Sequence, residues 1–160
     1  MHATIQMALE RYKFEGALAE SEERLSRALA ASNVALWDLD IASNNLYLSA
    51  QWSEMLGGEA KPVITTFEEL ARLTHPEDRE KLLALAVAAQ SGSIPTYEFD
   101  HRVITGSGEW IWVHSRGRVV ERNHSGNALR ITGTNTDITE RKRAEERIRY
   151  LATRDALTEL

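Results

Sequence analysis

The sequence contains no cysteine, and this absence excludes several kinds of chemistry. Disulfide bonds, cysteine-ligated zinc, iron–sulfur clusters and covalent adducts between cysteine and flavin all require a thiol. A chain without thiols is compatible with a reducing compartment. We therefore expect a cytoplasmic protein.

Long apolar runs and an excess of positive charge are absent as well. No stretch approaches the roughly 20 consecutive apolar residues of a membrane-spanning helix. The opening segment, MHATIQMALERYKFEG, lacks the uninterrupted apolar run of a secretory signal. The formal net charge is −5, so we expect neither membrane insertion nor a general affinity for nucleic acid.

Segment 1–31 is predicted to be a helical linker that pairs with a second copy of itself. Leu18, Leu25 and Leu29 recur at spacings of seven and four, which places them on one stripe of a helix. Most of the surrounding residues are charged or small, and a narrow apolar stripe on such a helix favours helix pairing over deep burial. Asn33 can end the helix in the left-handed conformation. We therefore expect a homodimer.

Segment 32–138 is predicted to be an α+β domain. Two short strand patterns, VALWDLDI and LYLS, precede several helices, and three long strand patterns follow: TYEFDHRVI, EWIWVHSRGRVVE and NALRITGTNTDI. The connections TGSG and RNHSG are short turn sequences, so the strands that they join must be antiparallel. Strands that are separated from helices along the chain are typical of one antiparallel sheet covered by helices.

Two helix starts in this segment carry capping signals. Thr66 is followed three residues later by Glu69, and Thr74 is followed in the same way by Glu77. Pro76 suits the first turn of the second helix, where its missing N–H group costs no hydrogen bond. The pattern therefore predicts Thr66 and Thr74 as the two N-caps.

Five stretches occur in a characteristic order: WDLD at 37–40, HPEDR at 75–79, FDHRVITGSGEWIWV at 99–113, SRGRVV at 115–120 and GTNTDITERK at 133–142. Together they resemble a PAS domain of the branch with a tryptophan-rich hairpin. The resemblance implies a sensory and dimerising module that is not itself an enzyme. It also implies a five-stranded antiparallel sheet with a helical layer over one face and strands near 35–41, 46–49, 96–105, 109–121 and 127–137.

The closing segment 139–160 is predicted to be a signalling helix that leads to an output domain in the same chain. A thin apolar stripe runs along it, formed by Ala144, Ile148, Leu151 and Ala152. A helix of this length needs a partner to be stable in water. Its last residues, LATRDALTEL, resemble the entry to a GGDEF diguanylate cyclase domain, with Glu159 where that family usually has glycine. This resemblance implies an output that makes cyclic-di-GMP. The alternatives are the input domain of a histidine kinase and a ligand-free dimerisation or spacer module.

Three residues at the start of this helix are predicted to relay the signal. Asp137 ends the last strand and can accept N–H groups of the helix that follows, and Glu140 lies at the reciprocal capping position. Thr139 lies between them. The simpler interpretation is that they only cap the helix, whereas the resemblance favours a role in coupling the sheet to the helix.

Four residues form the candidate ligand pocket: Trp37, Trp52, His101 and Trp112. If the hairpin turns lie at TGSG and RNHSG, then His101, Trp112 and Asp137 fall in one row across three strands. The alternative is that the tryptophans are ordinary core and sheet-surface residues. The pattern leaves open whether the domain binds a small molecule, and it does not identify such a ligand.

The sequence gives no reason to expect a cofactor, a metal or catalysis. No histidine pairs with Asp or Glu at the i, i+4 helical spacing expected for a metal site, and none lies mid-helix as an axial haem ligand would. GSGEW is a hairpin turn and not a phosphate-binding loop, and no nucleophile–base motif is visible. We therefore expect no cofactor and no catalytic residues in this segment.

Overall fold

The computed structural model describes residues 2–158, so Glu159 and Leu160 of the closing phrase lie outside the described residues. The chain divides into two compact units at Asn33 and Val34. The first consists of helix α1 (His2–Ser32), which is continuous across Gly16. Asn33 follows it with a φ of 55°, as predicted for a helix end in the left-handed conformation.

The second unit is an antiparallel sheet with helices over one face, which confirms the predicted α+β class. The sheet order is β3-β2-β1-β6-β5-β4. Its strands are β1 (Val34–Asp40), β2 (Asn45–Leu48), β3 (Val63–Thr65), β4 (Thr96–Ile104), β5 (Trp110–Arg122) and β6 (Ala128–Asp137). Its helices are α2 (Ala50–Met55), α3 (Phe67–Leu73), α4 (Pro76–Gln90) and α5 (Thr139–Thr158).

The prediction of five strands was wrong, because the sheet has six. The missed strand is β3, which has three residues and lies at the edge of the sheet. Within residues 2–158 it pairs only with β2, with Ile64 opposite Tyr47. A strand this short has too few residues to show an alternating pattern, so its pairing partner and not its own sequence defines it.

His75, and not Thr74, is the N-cap of α4, so this part of the prediction was wrong. The Nδ1 atom of His75 accepts a hydrogen bond of 3.2 Å from the N–H group of Glu77. Thr74 is fully buried at the end of α3 and donates its hydroxyl to the carbonyl of Leu70. Thr74 also forms an isolated β-bridge with Val103 of β4. The strand therefore lies where the Thr74 side chain would have to be in order to cap α4. The predicted cap of α3 is confirmed, since the Thr66 hydroxyl accepts from the N–H group of Glu69.

Two glycines lie opposite each other in the middle of the sheet, on the face that the helices cover. Gly117 of β5 pairs with Gly133 of β6, and the same row continues to Trp37 of β1 and Tyr97 of β4. The Trp37 ring lies against Gly133 and the Tyr97 ring against Gly117, since a Cβ atom at either glycine would collide with that ring. The two rings stack with their centroids 6.2 Å apart. Only glycine leaves the space that this aromatic pair fills.

We expect Gly133→Ala to destabilise the domain by at least about 3 kcal/mol, the upper end of the usual cost of overpacking. The added Cβ would lie 2.5 Å from Cζ2 of Trp37 and would also meet the backbone oxygen of Arg116, which cannot move without disrupting β5. Denaturation by guanidinium chloride measures the change. Gly106→Ala is the matched control, because the nearest atom to its Cβ is 3.6 Å away. Equal stabilities for the two variants would contradict the account of the glycine row.

Candidate ligand cavity and signal-relay site

A small cavity lies between the inner face of the sheet and helices α3 and α4. Its volume is about 30 Å³, which is room for about two water-sized groups. Most of its surface is apolar, and the described residues that line it include no charged side chain. The lining residues are Trp37, Leu39, Leu46, Phe67, Leu70, Leu82, Ala86, Gln90, Tyr97, His101, Ser115, Ile131 and Asn135.

Three buried polar atoms of this lining have no hydrogen-bond partner among the described residues. They are Nε1 of Trp37, Nδ1 of His101 and Oδ1 of Asn135. The residues are only 7%, 3% and 3% exposed. A buried polar atom without a partner costs about 1–3 kcal/mol. Three such atoms around one cavity therefore indicate that the cavity is suited to a polar guest.

His101 is uncharged at neutral pH. Burial lowers the pKa of its imidazole to about 4, although the carboxylates of Asp78 and Asp100 oppose this shift and His114 adds to it. The ring stacks on Phe99 with centroids 4.6 Å apart and an interplanar angle of 12°. His101 therefore presents a neutral hydrogen-bonding edge to the cavity.

This burial predicts a loss of stability in mild acid. Below its ordinary pKa of about 6.5, His101 takes up a proton in the unfolded chain but not in the folded one, until the pH reaches about 4. We expect the free energy of unfolding to fall by about 1.5 kcal/mol between pH 6.5 and pH 5. Denaturation by guanidinium chloride across this range measures the slope.

His101→Gln should flatten the slope, because glutamine does not titrate in this range. His124→Gln, in an exposed turn, is the control and should keep the wild-type slope. The buried-histidine interpretation fails if His101→Gln and wild type lose stability equally as the pH falls.

The cavity contains two of the four residues predicted to form a ligand pocket. Trp37 and His101 line it, whereas Trp52 contributes to a separate apolar groove with Leu56 and Leu73. Trp112 lies on the opposite face of the sheet, so its predicted place in the pocket was wrong. The predicted row was displaced by one residue on β5, because His101 and Asp137 both lie opposite Val113. In a strand, a displacement of one residue turns the side chain to the other face.

Sequence reasoning missed the polar residues that complete the lining. Ser115 and Asn135 lie opposite each other on β5 and β6, one row from the glycine pair. Both are buried. The sequence did contain a signal for Asn135. Alternate residues of a strand share a face, so Asn135 lies on the same face as Ile131 and Gly133, where a polar side chain is unusual.

The start of α5 is fixed to the end of β6 and to β5 near its first residues. Oδ1 of Asp137 accepts from the backbone N–H of Thr139 (2.9 Å) and from its hydroxyl (2.5 Å). The Thr139 hydroxyl oxygen in turn accepts from the N–H of Trp112 (3.1 Å), and the N–H of Ile138 donates to the Trp112 carbonyl (2.9 Å). Two of the three predicted relay residues, Asp137 and Thr139, therefore join this helix to the sheet.

Glu140, the third predicted relay residue, lies in the first turn of α5 and points into solvent. Its carboxylate pairs with Arg143 at 3.2 Å, and its side chain is 91% exposed. The predicted reciprocal bond of Glu140 to the preceding backbone is thus replaced by a pair within the helix. Further along, Ile148 and Leu151 of the predicted apolar stripe are exposed.

The outer face of the sheet carries a group of charged and aromatic side chains that contacts both α4 and α5. The guanidinium of Arg102 lies 5.2 Å from the ring centre of Trp112, and Nζ of Lys142 lies 4.9 Å from the same ring. Both distances are within the range of a cation–π contact. The tryptophan that holds the start of α5 by its backbone therefore also contacts a cation from α5 by its ring.

Arg102 connects this group to the first turn of α4. Its guanidinium donates to both oxygens of Asp78 (2.9 and 3.0 Å) and to Glu77 (2.8 Å), and its backbone N–H also donates to Asp78. Burial alone would raise the pKa of the Asp78 carboxyl, but the hydrogen bonds from Arg102 hold it below its ordinary value. These bonds raise the pKa of Arg102 in turn, so the pair is charged across the range in which proteins work.

A second link between sheet and helix is made by Asp100 of β4. Its carboxylate lies 2.7 Å from Nδ1 of His114 and 3.1 Å from Nζ of Lys142, with Arg141 at 3.5 Å. Burial acts to raise the pKa of the Asp100 carboxyl, but His114 and Lys142 hold it below its ordinary value. Two cations of α5 are therefore held against an ionised group of the sheet.

In the first unit, Leu18 and Leu25 of the predicted dimer helix are exposed, and Leu29 is partly so. Residues 2–158 include no helix long and apolar enough to cross a membrane. Within the same residues, no three His, Asp or Glu side chains are grouped so that they could hold a metal ion.

Comparison with protein families gives a match that begins at β2 and ends within β6. The PAS-fold family matches residues 45–135, which is more than half of the chain. The chain belongs to the PAS family. The HPEDR motif of this family has a structural role in α4. It contains the N-cap of the helix, the proline that begins it and the two carboxylates that bind Arg102.

Two solved structures that resemble this PAS domain come from bacterial signalling proteins. A solved structure named as a sensory box histidine kinase/response regulator from Burkholderia thailandensis is 32% identical, covers 86% of this chain and 99% of that chain, and has a TM-score of 0.69. The N-terminal domain of a diguanylate cyclase with PAS/PAC sensor from Marinobacter aquaeolei is 25% identical over 68% of this chain and 98% of that chain, with a TM-score of 0.58.

Curated relatives include a blue-light-activated histidine kinase from Brucella ovis. It is 25% identical over 141 residues, which is 88% of this chain and 27% of that protein. This PAS chain therefore spans about a quarter of the length of such relatives.

Proposed function

We propose that the chain is a sensory and dimerising PAS domain that passes a signal from its cavity, through the sheet, to helix α5 and an output domain beyond it. The observation that carries the proposal is the double attachment of α5 at Trp112, whose backbone holds Ile138 and Thr139 and whose ring contacts Lys142. A change in the position of β5 must therefore change the start of α5. The segment itself has no catalytic role in this proposal.

The route from the cavity to α5 runs through helix α4. Leu82, Ala86 and Gln90 of α4 line the cavity, and the first turn of the same helix holds Arg102 through Asp78. A guest that shifts α4 would therefore shift Arg102 against the Trp112 ring. Each step of this route is a direct contact.

For the output, we propose a diguanylate cyclase that makes cyclic-di-GMP. Its support is the phrase LATRDALTEL and the likeness to the PAS domain of the Marinobacter cyclase. A histidine kinase is the second candidate, which the names of the Burkholderia and Brucella relatives favour. Incubating the full-length protein with GTP and with ATP separates the two, because the cyclase forms cyclic-di-GMP and the kinase phosphorylates itself.

We propose that the domain works without flavin, although a relative is named as blue-light-activated. No cysteine is present to form an adduct, and a cavity of about 30 Å³ is far smaller than the ~300–1,000 Å³ of sites for drug-sized ligands. The purified protein should therefore be colourless. A stoichiometric flavin or haem band in its absorption spectrum would contradict this.

Asp137→Ala tests the relay in the full-length protein. The substitution removes the acceptor that holds Thr139, at a cost of roughly 0.5–2 kcal/mol for a lost cap. We expect faster hydrogen exchange at the Thr139 amide, a changed output activity or a changed response to signal, and little change in melting temperature. The cost is small against a typical domain stability of about 5–15 kcal/mol.

Glu146→Ala is the matched control, since it also removes one carboxylate from α5 but at an exposed position beyond the attachment. It should leave exchange and output as in wild type. If Asp137→Ala gives wild-type output while its Thr139 amide exchanges faster, then the attachment is only a helix cap and the relay proposal is wrong.

We propose that two copies of the chain dimerise through the apolar stripe of α1, which is formed by Leu18, Leu25 and Leu29. Leu25→Lys places a charge on the stripe and should shift the protein toward monomer in light scattering at micromolar concentration. Glu20→Lys, on the opposite side of the helix, is the control and should keep the wild-type mass. A dimer unchanged by Leu25→Lys would exclude this stripe as the interface.

A further inference from the structure

The chemistry of the cavity restricts what it can hold. Trp37 offers an indole N–H, which is only a donor, and Asn135 offers an amide oxygen, which is an acceptor. The neutral ring of His101 offers a third nitrogen, Nδ1. A guest that satisfies these atoms must therefore carry both an acceptor and a donor.

The guest must also be uncharged. The described lining residues include no Asp, Glu, Lys or Arg, and an ion buried without an opposite charge pays a large desolvation cost. The remaining lining is apolar, with Leu46, Leu70 and Leu82 among its members. An uncharged molecule with a polar side and a small body meets both conditions.

The size of the cavity limits the guest further. Its volume of about 30 Å³ admits only a few non-hydrogen atoms without movement of the covering helices. The stacked rings of Trp37 and Tyr97 both line the cavity, and so does the ring of His101, which stacks on Phe99. Rigid aromatic walls favour a flat and compact guest.

We propose that the cavity binds compact, uncharged molecules with adjacent donor and acceptor groups, the chemistry of primary amides and ureas, through Trp37, His101 and Asn135. This inference rests on the proposed sensory function for its biological meaning, because it names the class of signal that the domain would detect. The binding step itself needs neither α5 nor an output domain.

Three probes with three non-hydrogen atoms each test the inference on the wild-type protein. Formamide carries a donor and an acceptor without charge, formate has the same size and a negative charge, and acetonitrile has an acceptor but no conventional donor. The readout is the indole N–H signal of Trp37 in a nitrogen–proton correlation spectrum, assigned with Trp37→Phe. The other three tryptophans serve as internal controls.

We expect formamide to shift the Trp37 signal in a saturable way, with an affinity at least tenfold higher than for formate or acetonitrile. The signals of Trp110 and Trp112, on the outer face, should not move. Asn135→Leu, which keeps the size of the side chain but removes its amide, should weaken formamide binding at least tenfold. Asp137→Ala should bind formamide as wild type does.

Other outcomes would overturn the inference. Equal shifts with formate would exclude a preference for uncharged guests, and equal shifts with acetonitrile would exclude the need for a donor. A linear, unsaturable shift, or none, would leave the cavity as a site for ordered water only. Such a failure would be distinct from failure of the relay, because altered output in Asp137→Ala does not depend on formamide.

Discussion

The ion pair between Arg102 and Asp78 joins the three parts of the domain on which a signal depends. Asp78 lies in the first turn of the helix that covers the cavity, Arg102 belongs to a strand of the sheet, and the Arg102 guanidinium lies against the ring of Trp112. Two parallel N–H···O bonds give the pair a fixed geometry as well as strength. Trp112 in turn holds the start of α5. The position of α4 and the position of α5 are therefore fixed by the same side chain.

The inner face of the sheet supplies the other constraint. Gly117 and Gly133 leave room for the rings of Trp37 and Tyr97 to lie flat on the strands, and the space beyond these rings is the cavity. Close packing transmits small displacements, so a guest that displaces a covering element also changes the contacts of that element elsewhere. Helix α4 is the element that both lines the cavity and holds Arg102. The cavity and the relay thus share one helix.

Much of this fold follows from local patterns in the sequence. The three long strands and their turns were predicted because alternation and short connections are local signals, whereas β3 was missed because three edge residues carry no such signal. The same limit applies to the site. The role of Asp137 at the start of α5 could be predicted from the residues next to it. The position of Trp112 depended on the register between strands, and a register error of one residue places a side chain on the wrong face of the sheet. The partnership of Arg102 with Asp78 spans 24 positions, which no local pattern predicts.

The most direct test of this account is the hydrogen exchange of the Lys142 amide, which bonds the Ile138 carbonyl at 3.0 Å, in the variants Arg102→Gln and Arg116→Gln. Both arginines lie on the outer face, but Arg116 pairs only with Glu98 among the ion pairs described. The account predicts exchange at least several-fold faster in Arg102→Gln than in wild type, although Arg102 has no hydrogen bond or ion pair to α5 among those described. Arg116→Gln should match wild type. Wild-type exchange at Lys142 in Arg102→Gln, with the first turn of α4 loosened, would contradict the claim that one side chain couples the two helices.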